Sequence, residues 1–530
     1  MSTESGADVP PPSGRVAQRF LLGLAAVIFL IGIDWGLPAY ATWSNDDQTP
    51  IGPLKAVHNR FLEFDKYPPA QYAILAAAYA PAIGWWTWTG DLRQPKEDFP
   101  YGFTDPLSSL TTLMVIARLV SVLMALGIVW LIGRATLRLT GDGRAQTFAM
   151  AVAVGNAYLV LFAHLGNFDV PALFWSALAF LLLLRFEDEW RPRRAVALGA
   201  AAALAISTKE QVYSILAGYA IWLLIVWVRD RRSGLPIAAG LLSAFVTYAF
   251  VNNWVFAFDV WRARFEYWTN GPGTKPYVEV AATLEGHLSL LVRFGGYVVS
   301  GASLPIVLAA LAGLWLMMRS RTRALALILP ALTYYLGSIA SIRFAYPRFA
   351  LPLILFLAPA AGLSLAWLWK RGTVARVASV MVTVFALAWG ARIDASLLLD
   401  SRYDAEAFLA EHLPPPARVE VYSMDTYLPR LAERGYAVTQ LDPRWNPEAH
   451  YTIEALNERA SDAVILTTNF FPRFDEPPLS EYFYRLQQCP EGYELHRFEG
   501  GPAWLGWRSE LSEFSRVSPT IFVLLRKPRR

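Results

Sequence analysis

The sequence predicts a mainly α-helical, polytopic membrane bundle of about eleven spans, followed by a small C-terminal α/β domain. Two features of the composition indicate the bundle: 55% of the 530 residues are apolar and only 17% are charged, whereas soluble domains average about 25% charged residues. The third observation is that long apolar runs alternate with short arginine-rich loops until about residue 393. These features exclude a soluble, disordered or fibrous protein. The single cysteine, Cys489, excludes an intramolecular disulfide.

The apolar runs define the predicted membrane domain, residues 20–392, which follows a polar cytoplasmic lead at residues 1–19. The first span, residues 20–37, follows Arg15 and Arg19 and lacks a small-residue cleavage site, which is typical of a retained helix rather than a signal peptide. Ten later runs have the length of a span. They lie near residues 110–133, 145–163, 170–186, 194–208, 211–228, 234–252, 292–317, 323–341, 349–369 and 373–390.

The arginine-rich loops occur at every second turn, so positive-inside bias assigns them and the N-terminus to the cytoplasm. Because these basic residues cluster beside apolar spans, the net charge of +4 does not indicate nucleic-acid binding. Eleven spans place the C-terminus in the periplasm and leave a large first outer loop, residues 38–109. Residues 67–88 within it are apolar, but crossing would move three arginines outside. We therefore expect them to lie along the interface or to dip in and return.

From about Asp394 the composition becomes that of a soluble domain, predicted to cover residues 393–530 on the periplasmic face. Strand-like runs alternate with helical runs, which favours a small α/β domain. The predicted strands are residues 419–422, 437–441, 463–466 and 521–525, and the predicted helices are residues 427–434 and 452–460. The domain contains no glycine-rich phosphate-binding loop.

The predicted outer loops place charged and polar side chains on one side of the bilayer. These are Asp46, Asp47 and Lys66 in the first loop, His164, Asn167 and Asp169 in the second, Lys209 in the third and Arg348 in a late loop. Taken singly, each fits an ordinary role, such as a solvated loop acid, a helix cap or a lipid-phosphate contact.

Taken together, these residues suit one reaction. A carboxylate near the membrane surface can act as general base on an acceptor hydroxyl, and nearby cations can stabilise a phosphate leaving group. A lipid-linked donor brings its phosphate to this depth. Arg118 lies well inside the second predicted span, where an arginine costs about 2.5–3.5 kcal/mol on insertion scales. We therefore expect it to pair with Asp46, Asp47 or a donor phosphate.

Four motifs and one short pair occur in a particular order. They are Asp46-Asp47 followed by Lys66-Tyr67-Pro68-Pro69, Ala117-Arg118-Leu119, His164 with Asn167-Phe168-Asp169-Val170-Pro171, Thr208-Lys209, and Tyr346-Pro347-Arg348-Phe349. This order resembles the bacterial dolichyl-phosphate-mannose–protein mannosyltransferase family, within the GT-C membrane glycosyltransferases, and the related aminoarabinose lipid A transferases. The resemblance covers about residues 20–390 and implies a GT-C fold and sugar transfer from a polyprenyl-phosphate-linked donor.

The resemblance also implies roles for individual residues. The catalytic acidic pair falls on Asp46-Asp47. The second-loop aspartate falls on Asp169, a further catalytic residue that would orient the acceptor or support the base, with His164 and Asn167 in the same substrate site. The phosphate-side cations fall on Lys66, Arg118, Lys209 and Arg348. Many members have Glu at the second acidic position and Pro where this sequence has Asn45, so either Asp46 or Asp47 could be the base. The acidic pair and His164 suit a metal, but this branch is not thought to need one, and we predict none.

We therefore expect an inverting enzyme of the bacterial inner membrane that transfers a hexosyl or pentosyl group to a hydroxyl of a protein, lipid or polysaccharide acceptor. A transporter or flippase of lipid-linked glycans is the main alternative; it would carry ionisable residues near the midplane and broken helices. A polymerase or ligase that uses a diphosphate-linked glycan is the second. The predicted outer loop 252–291, with Gly271-Pro272-Gly273 between Trp268 and Tyr277, fits either a lid over the donor or a passive surface loop.

Overall fold

A computed structural model describes residues 12–44, 46–47, 50–270, 278–320, 323–500 and 517–527. The chain divides into two compact units. The membrane unit comprises Met1–Ile33, Pro50–Gly84 and Ile116–Ile393, and the α/β unit comprises Asp34–Thr49, Trp85–Val115 and Asp394–Arg530. The α/β unit thus combines two segments of the predicted first outer loop with the C-terminal region.

Helices dominate the chain up to residue 398. They are α1 (Pro12–Leu30), α2 (Ile51–His58), α3 (Ala70–Thr89), α4 (Pro106–Thr140), α5 (Gly143–Val154), α6 (Ala157–Ala163), α7 (Asp169–Asp188), α8 (Pro192–Ile206), α9 (Tyr213–Asp230), α10 (Leu235–Val251), α11 (Trp254–Thr269), α12 (Leu284–Ala302), α13 (Leu304–Arg319), α14 (Leu325–Tyr334), α15 (Ile354–Trp369) and α16 (Thr373–Leu398). Within the described residues, five helices are long and apolar enough to cross a membrane, or up to eight if each bent pair is one span. The chain is therefore a multi-pass membrane protein; the count of eleven spans stays a prediction.

Three pairs of consecutive helices are bent at the break between them. The bends are 60° between α5 and α6, 87° between α10 and α11, and 104° between α12 and α13. The span predicted over residues 292–317 is broken near its middle, because Ser303 adopts a positive φ of 72° and Pro305 lies in the first turn of α13. Asn156 caps α6 by accepting a hydrogen bond from the Leu159 amide at 3.0 Å, which starts a new helix inside the predicted span 145–163.

One loop prediction is modified, and a second stays a prediction. Residues 254–269, expected to be part of an outer loop, form helix α11, and Asn253 before it has a left-handed backbone. The Gly271-Pro272-Gly273 hinge and Tyr277 lie outside the described residues. Residues 70–89 form helix α3 with Pro81 inside it, but α3 is not one of the five span-like helices. That it does not cross the membrane stays a prediction.

The α/β unit contains a five-stranded sheet of order β2-β1-β3-β5-β4. Its strands are β1 (Arg418–Val421), β2 (Ala437–Gln440), β3 (Ala463–Thr467), β4 (Tyr493–Phe498) and β5 (Ile521–Arg526), and its helices are α17 (Ser401–His412), α18 (Ile453–Arg459) and α19 (Leu479–Gln487). The strands β2, β1 and β3 are parallel, whereas β5 is antiparallel to both of its neighbours. Ala405 and Leu409 of α17 pack on one face of the sheet, and Leu456 and Leu486 pack on the other.

Four strands and α18 follow the sequence prediction closely, whereas the helix predicted at residues 427–434 is wrong. Short 3-10 turns at Asp425–Tyr427 and Ala432–Arg434 occupy this region instead. Leu428 is extended, as expected for a residue before proline, and Pro429 interrupts the helical run. Strand β4 was not predicted, because it is an edge strand with mixed polarity.

Candidate active site

Arg118 of α4 and His164 after α6 meet at the C-terminal end of α1. Arg118 is fully buried, and its Nη1 donates a hydrogen bond to the Ile33 carbonyl at 2.8 Å. The His164 Nε2 lies 2.7 Å from the Ile31 carbonyl oxygen, and its Nδ1 lies 2.7 Å from that of Val160. Carbonyls at a helix C-terminus lack partners within the helix and favour positive charge. Backbone oxygens therefore supply part of the compensation that a buried Arg118 requires.

Asn167 organises the loop that leads into α7. Its Nδ2 donates to the carbonyls of Phe162 at 2.6 Å and Leu165 at 2.7 Å, while its Oδ1 accepts from the Val170 amide at 2.9 Å. The side chain is buried. Both ends of its amide thus bind backbone groups, which fixes the position of Asp169 at the first residue of α7.

Asp169 forms a close ion pair with Lys209. The Lys209 Nζ lies 2.6 Å from the Asp169 Oδ1, and the side chains are 10% and 13% exposed, respectively. Lys209 precedes the 3-10 turn Glu210–Val212, which connects α8 to α9. A cavity of ≈ 20 Å³ beside the pair is also lined by Gln211 and Tyr334. This volume suffices for about one water molecule.

Arg348 lies beside the same aromatic ring as Lys209 of this pair. It lies in the 3-10 helix Pro347–Leu353, with its guanidinium carbon 6.0 Å from the centre of the Phe349 ring. The Lys209 Nζ lies 5.9 Å from the centre of the same ring. The Tyr334 hydroxyl holds this segment by donating to the Phe349 carbonyl at 2.9 Å. Segments far apart in the sequence thus bring Lys209 and Arg348 to one ring.

Lys66 is connected to the Asp169 loop by stacked rings. Its Nζ lies 5.1 Å from the centre of the Tyr67 ring. Tyr67 stacks on Phe168, the residue before Asp169, with ring centres 4.3 Å apart. The Tyr72 ring meets Phe168 edge-on at 5.1 Å. The seven predicted site residues in the membrane unit therefore lie on or beside the segments that meet at residues 164–170.

Arg264 of α11 is not among the predicted site residues. It is buried, and its Nε donates to the Asp65 carbonyl at 2.9 Å. One helical turn further on, the Trp268 indole donates to the Lys66 carbonyl at 2.9 Å. Arg264 also lines a cavity of ≈ 70 Å³ with Lys55 and Asp65. The aromatic-rich run at residues 254–269 is the sequence signal for helix α11 and hence for Arg264, although the loop predicted at residues 252–291 covers it.

The acidic pair belongs to the α/β unit, whereas the other predicted site residues belong to the membrane unit. Asp47 is 5% exposed and Asp46 is half-buried. The Asp46 amide donates to the Ser44 hydroxyl at 3.3 Å, and the Asp47 amide donates to the Ser44 carbonyl at 3.1 Å. Ser44 therefore fixes the backbone from which both carboxylates extend.

No group of three or more His, Cys, Asp or Glu side chains within the described part of the chain is arranged to hold a metal ion.

Residues 110–254 match the family model of dolichyl-phosphate-mannose-protein mannosyltransferase. The chain is similar to ArnT from Cupriavidus metallidurans in the apo state, with a TM-score of 0.52 and 14% identity over 96% of this chain and 98% of that one. For the same protein bound to undecaprenyl phosphate, the TM-score is 0.51 and the identity is 15% over 97% of this chain and 98% of that one. The Archaeoglobus fulgidus oligosaccharyltransferase in complex with Zn and sulfate gives a TM-score of 0.46 and 14% identity over 90% of this chain and 72% of that one. No curated protein sequence matches the chain.

These comparisons confirm the resemblance and the fold class. The chain is a multi-pass membrane protein with the GT-C fold and a small C-terminal sheet domain. The segment that matches the mannosyltransferase family contains five of the predicted site residues: Arg118, His164, Asn167, Asp169 and Lys209.

Proposed function

We propose that the chain is an inverting membrane glycosyltransferase. It transfers a sugar from a polyprenyl-phosphate-linked donor to a hydroxyl of an envelope acceptor at the periplasmic face of the inner membrane. The observation that carries this proposal is the buried Asp169–Lys209 pair with Arg348 on the same ring, within a chain of the GT-C fold. The undecaprenyl phosphate bound to the structurally similar ArnT supports this class of donor.

The proposed step is a single displacement. The acceptor oxygen forms a bond to the anomeric carbon while the bond from that carbon to the phosphate oxygen breaks. The electron pair leaves with the phosphate, and polyprenyl phosphate is released. The acceptor proton passes to the carboxylate of Asp46 or Asp47, and a general base of this kind contributes roughly 10²–10⁴-fold to the rate.

The cations of the membrane unit stabilise the charge that develops on the leaving phosphate. Lys209 and Arg348 carry the main part of this role, and Asp169 positions the ammonium group of Lys209. Lys66 and Arg264 are further phosphate contacts in this proposal, since α11 holds the backbone of residues 65 and 66 through Arg264 and Trp268. Arg118, His164 and Asn167 act differently: they hold the end of α1 and the loop before Asp169 in place.

The test compares the envelopes of bacterial strains that lack the protein or carry the wild type, D46N, D47N or the D46N/D47N variant. Mass spectrometry of lipids and glycans should show a sugar-modified component that the wild type restores and the double variant does not. The polyprenyl-phosphate sugar should accumulate where transfer is blocked. Full restoration by the double variant, or no wild-type-dependent sugar at all, would contradict the proposal.

One observation favours the transporter or flippase alternative. Three helix pairs are bent by 60–104°, and broken helices are typical of secondary transporters. The two functions predict different products in proteoliposomes that contain a polyprenyl-phosphate sugar and an acceptor extract. A transferase releases polyprenyl phosphate and labels the acceptor, whereas a flippase moves the intact lipid-linked sugar to the other leaflet.

A further inference from the structure

The segment directly before the acidic pair is held by the C-terminal part of the α/β unit. Trp35 and Trp43 are both buried. The Trp35 indole donates to Asp400 Oδ2 at 2.9 Å, and the Gly36 amide donates to the Tyr403 hydroxyl at 3.0 Å. Residues more than 350 positions apart in the sequence therefore form one packed cluster.

Arg402 is the centre of this cluster. It is 0% exposed and pairs with Asp400 at 2.6 Å. Its guanidinium carbon lies 4.2 Å from the centre of the Trp43 ring and 5.1 Å from that of Trp35. It also donates to the Trp43 carbonyl at 3.4 Å and to the Thr426 carbonyl at 3.1 Å. Arg402 thus holds both the ring and the backbone of Trp43.

Arg430 holds the same segment from a second position. It pairs with Glu406 at 2.6 Å and donates to the Leu37 carbonyl. Its guanidinium carbon lies 5.3 Å from the centre of the Trp43 ring. Two arginines, each bound to its own carboxylate, therefore contact one tryptophan.

The backbone conformation at Gly36 permits the close approach of Trp43. Gly36 has a φ of +72°, and a Cβ there would lie 2.8 Å from the Trp43 ring. Trp43 precedes Asp46 by three residues, and the amides of Asp46 and Asp47 bond to Ser44 between them. Fixing Trp43 therefore fixes the start of the turn that carries both carboxylates.

We propose that Arg402 and Arg430 are positioning residues, which hold the Asp46-Asp47 turn in the geometry needed for proton transfer. Burying charge is expensive, and apolar packing often provides equal or greater stability. Two ion pairs at this point are better explained by a need for a defined geometry. The inference rests on the proposed glycosyltransferase function, and it gives the α/β unit a part in that reaction.

The test variant is D400N/R402Q, which removes both charges so that no carboxylate is left buried without its cation. The matched control is E420Q/R459Q. Arg459 pairs with buried Glu420 at 2.8 Å and donates to the Ala449 carbonyl, so this pair contacts the sheet domain itself. Both double variants remove one ion pair with a fully buried carboxylate from the same unit.

The first readout is amide hydrogen exchange in the full-length protein in detergent. We expect the Asp46 and Asp47 amides to exchange roughly tenfold faster in D400N/R402Q and at the wild-type rate in the control, since exchange reports local opening. Equal exchange in wild type and D400N/R402Q would overturn the proposal.

The second readout is turnover of a polyprenyl-phosphate sugar. We expect kcat to fall about 10²-fold in D400N/R402Q while the donor KM changes less than about threefold. The acid limb of the pH–rate profile should shift relative to that of the wild type. The single variant R402K, which keeps the positive charge, should retain more of the rate than D400N/R402Q. Equal losses of kcat in both double variants with an unchanged pH profile would show a merely structural role. If amide exchange responds as expected but the wild type transfers no sugar, Arg402 still holds the Asp46-Asp47 turn, and the proposed glycosyltransferase function is wrong.

Discussion

The ammonium nitrogen of Lys209 lies 2.6 Å from a carboxylate oxygen of Asp169, and both side chains are almost fully buried. The pair joins the start of α7 to the connection between α8 and α9. Two loops that the sequence predicts on the same side of the membrane therefore meet in one ion pair.

Breaking this pair from one side should destabilise the protein. Asp169→Asn leaves the Lys209 ammonium buried without its carboxylate, which we expect to cost about 3–5 kcal/mol. The double variant D169N/K209Q should cost less than the sum of the single variants. Thermal unfolding in detergent measures each effect. Glu481→Gln, which breaks an exposed pair with Arg485, is the control and should change little. If the losses of stability in the two single variants add up in the double variant, Asp169 and Lys209 do not stabilise each other.

Only one residue of the acidic pair should be essential. We expect either Asp46→Asn or Asp47→Asn to lower kcat by about 10²–10⁴-fold, because one carboxylate takes the acceptor proton. The other substitution should have a much smaller effect. Asp98→Asn removes an exposed acid from the same predicted loop and should leave turnover unchanged. The measurement is initial rate at saturating donor, and near-normal rates in both single variants and the double variant would reject the assignment.

Arg118 and Arg264 should differ in their response to lipid. Arg118→Gln removes a hydrogen bond to the Ile33 carbonyl, so we expect a lower melting temperature that still rises normally on addition of undecaprenyl phosphate. Arg264→Gln should reduce this lipid-induced rise, because we propose a phosphate role for Arg264. Thermal-shift titration of both variants tests the distinction. An unchanged melting temperature with no lipid response in R118Q would instead identify Arg118 as a phosphate ligand.

Acid should weaken the contact between Arg430 and Glu406. Burial by itself raises the pKa of Glu406, but the hydrogen bonds from Arg430 outweigh it and hold the pKa below its ordinary value of 4.5. A carboxyl whose pKa is lower in the folded state contributes stability above the unfolded value and loses it as pH falls through the folded value. Stability should therefore decrease below about pH 4.5. In thermal unfolding measured at several pH values, Glu406→Gln should make the melting temperature depend less on pH. Parallel curves for the wild type and the variant would contradict this prediction.

Hydropathy and charge patterns predicted several features directly. The membrane bundle, strands β1, β2, β3 and β5, and helix α18 all depend on residues close together in the sequence. The sequence also identified Asp169 and Lys209 as candidates, because both lie at the ends of apolar runs. It did not predict the bend at Ser303, since the backbone conformation of one residue has little effect on the hydropathy of a window.

The sequence by itself determined that the chain enters the membrane repeatedly and ends in an α/β domain, because transfer free energies and turn preferences are local properties that sum along the chain. Only the tertiary structure decided which charged groups meet. Lys209 reaches Asp169 across 40 positions, and Arg402 reaches Trp43 across 359. Such pairs are set by the packing of distant segments. The presence of an arginine or aspartate in the sequence does not show which residue will lie beside it in the folded chain. The assignment of Arg402 and Arg430 to the turn at Asp46 therefore required the folded chain.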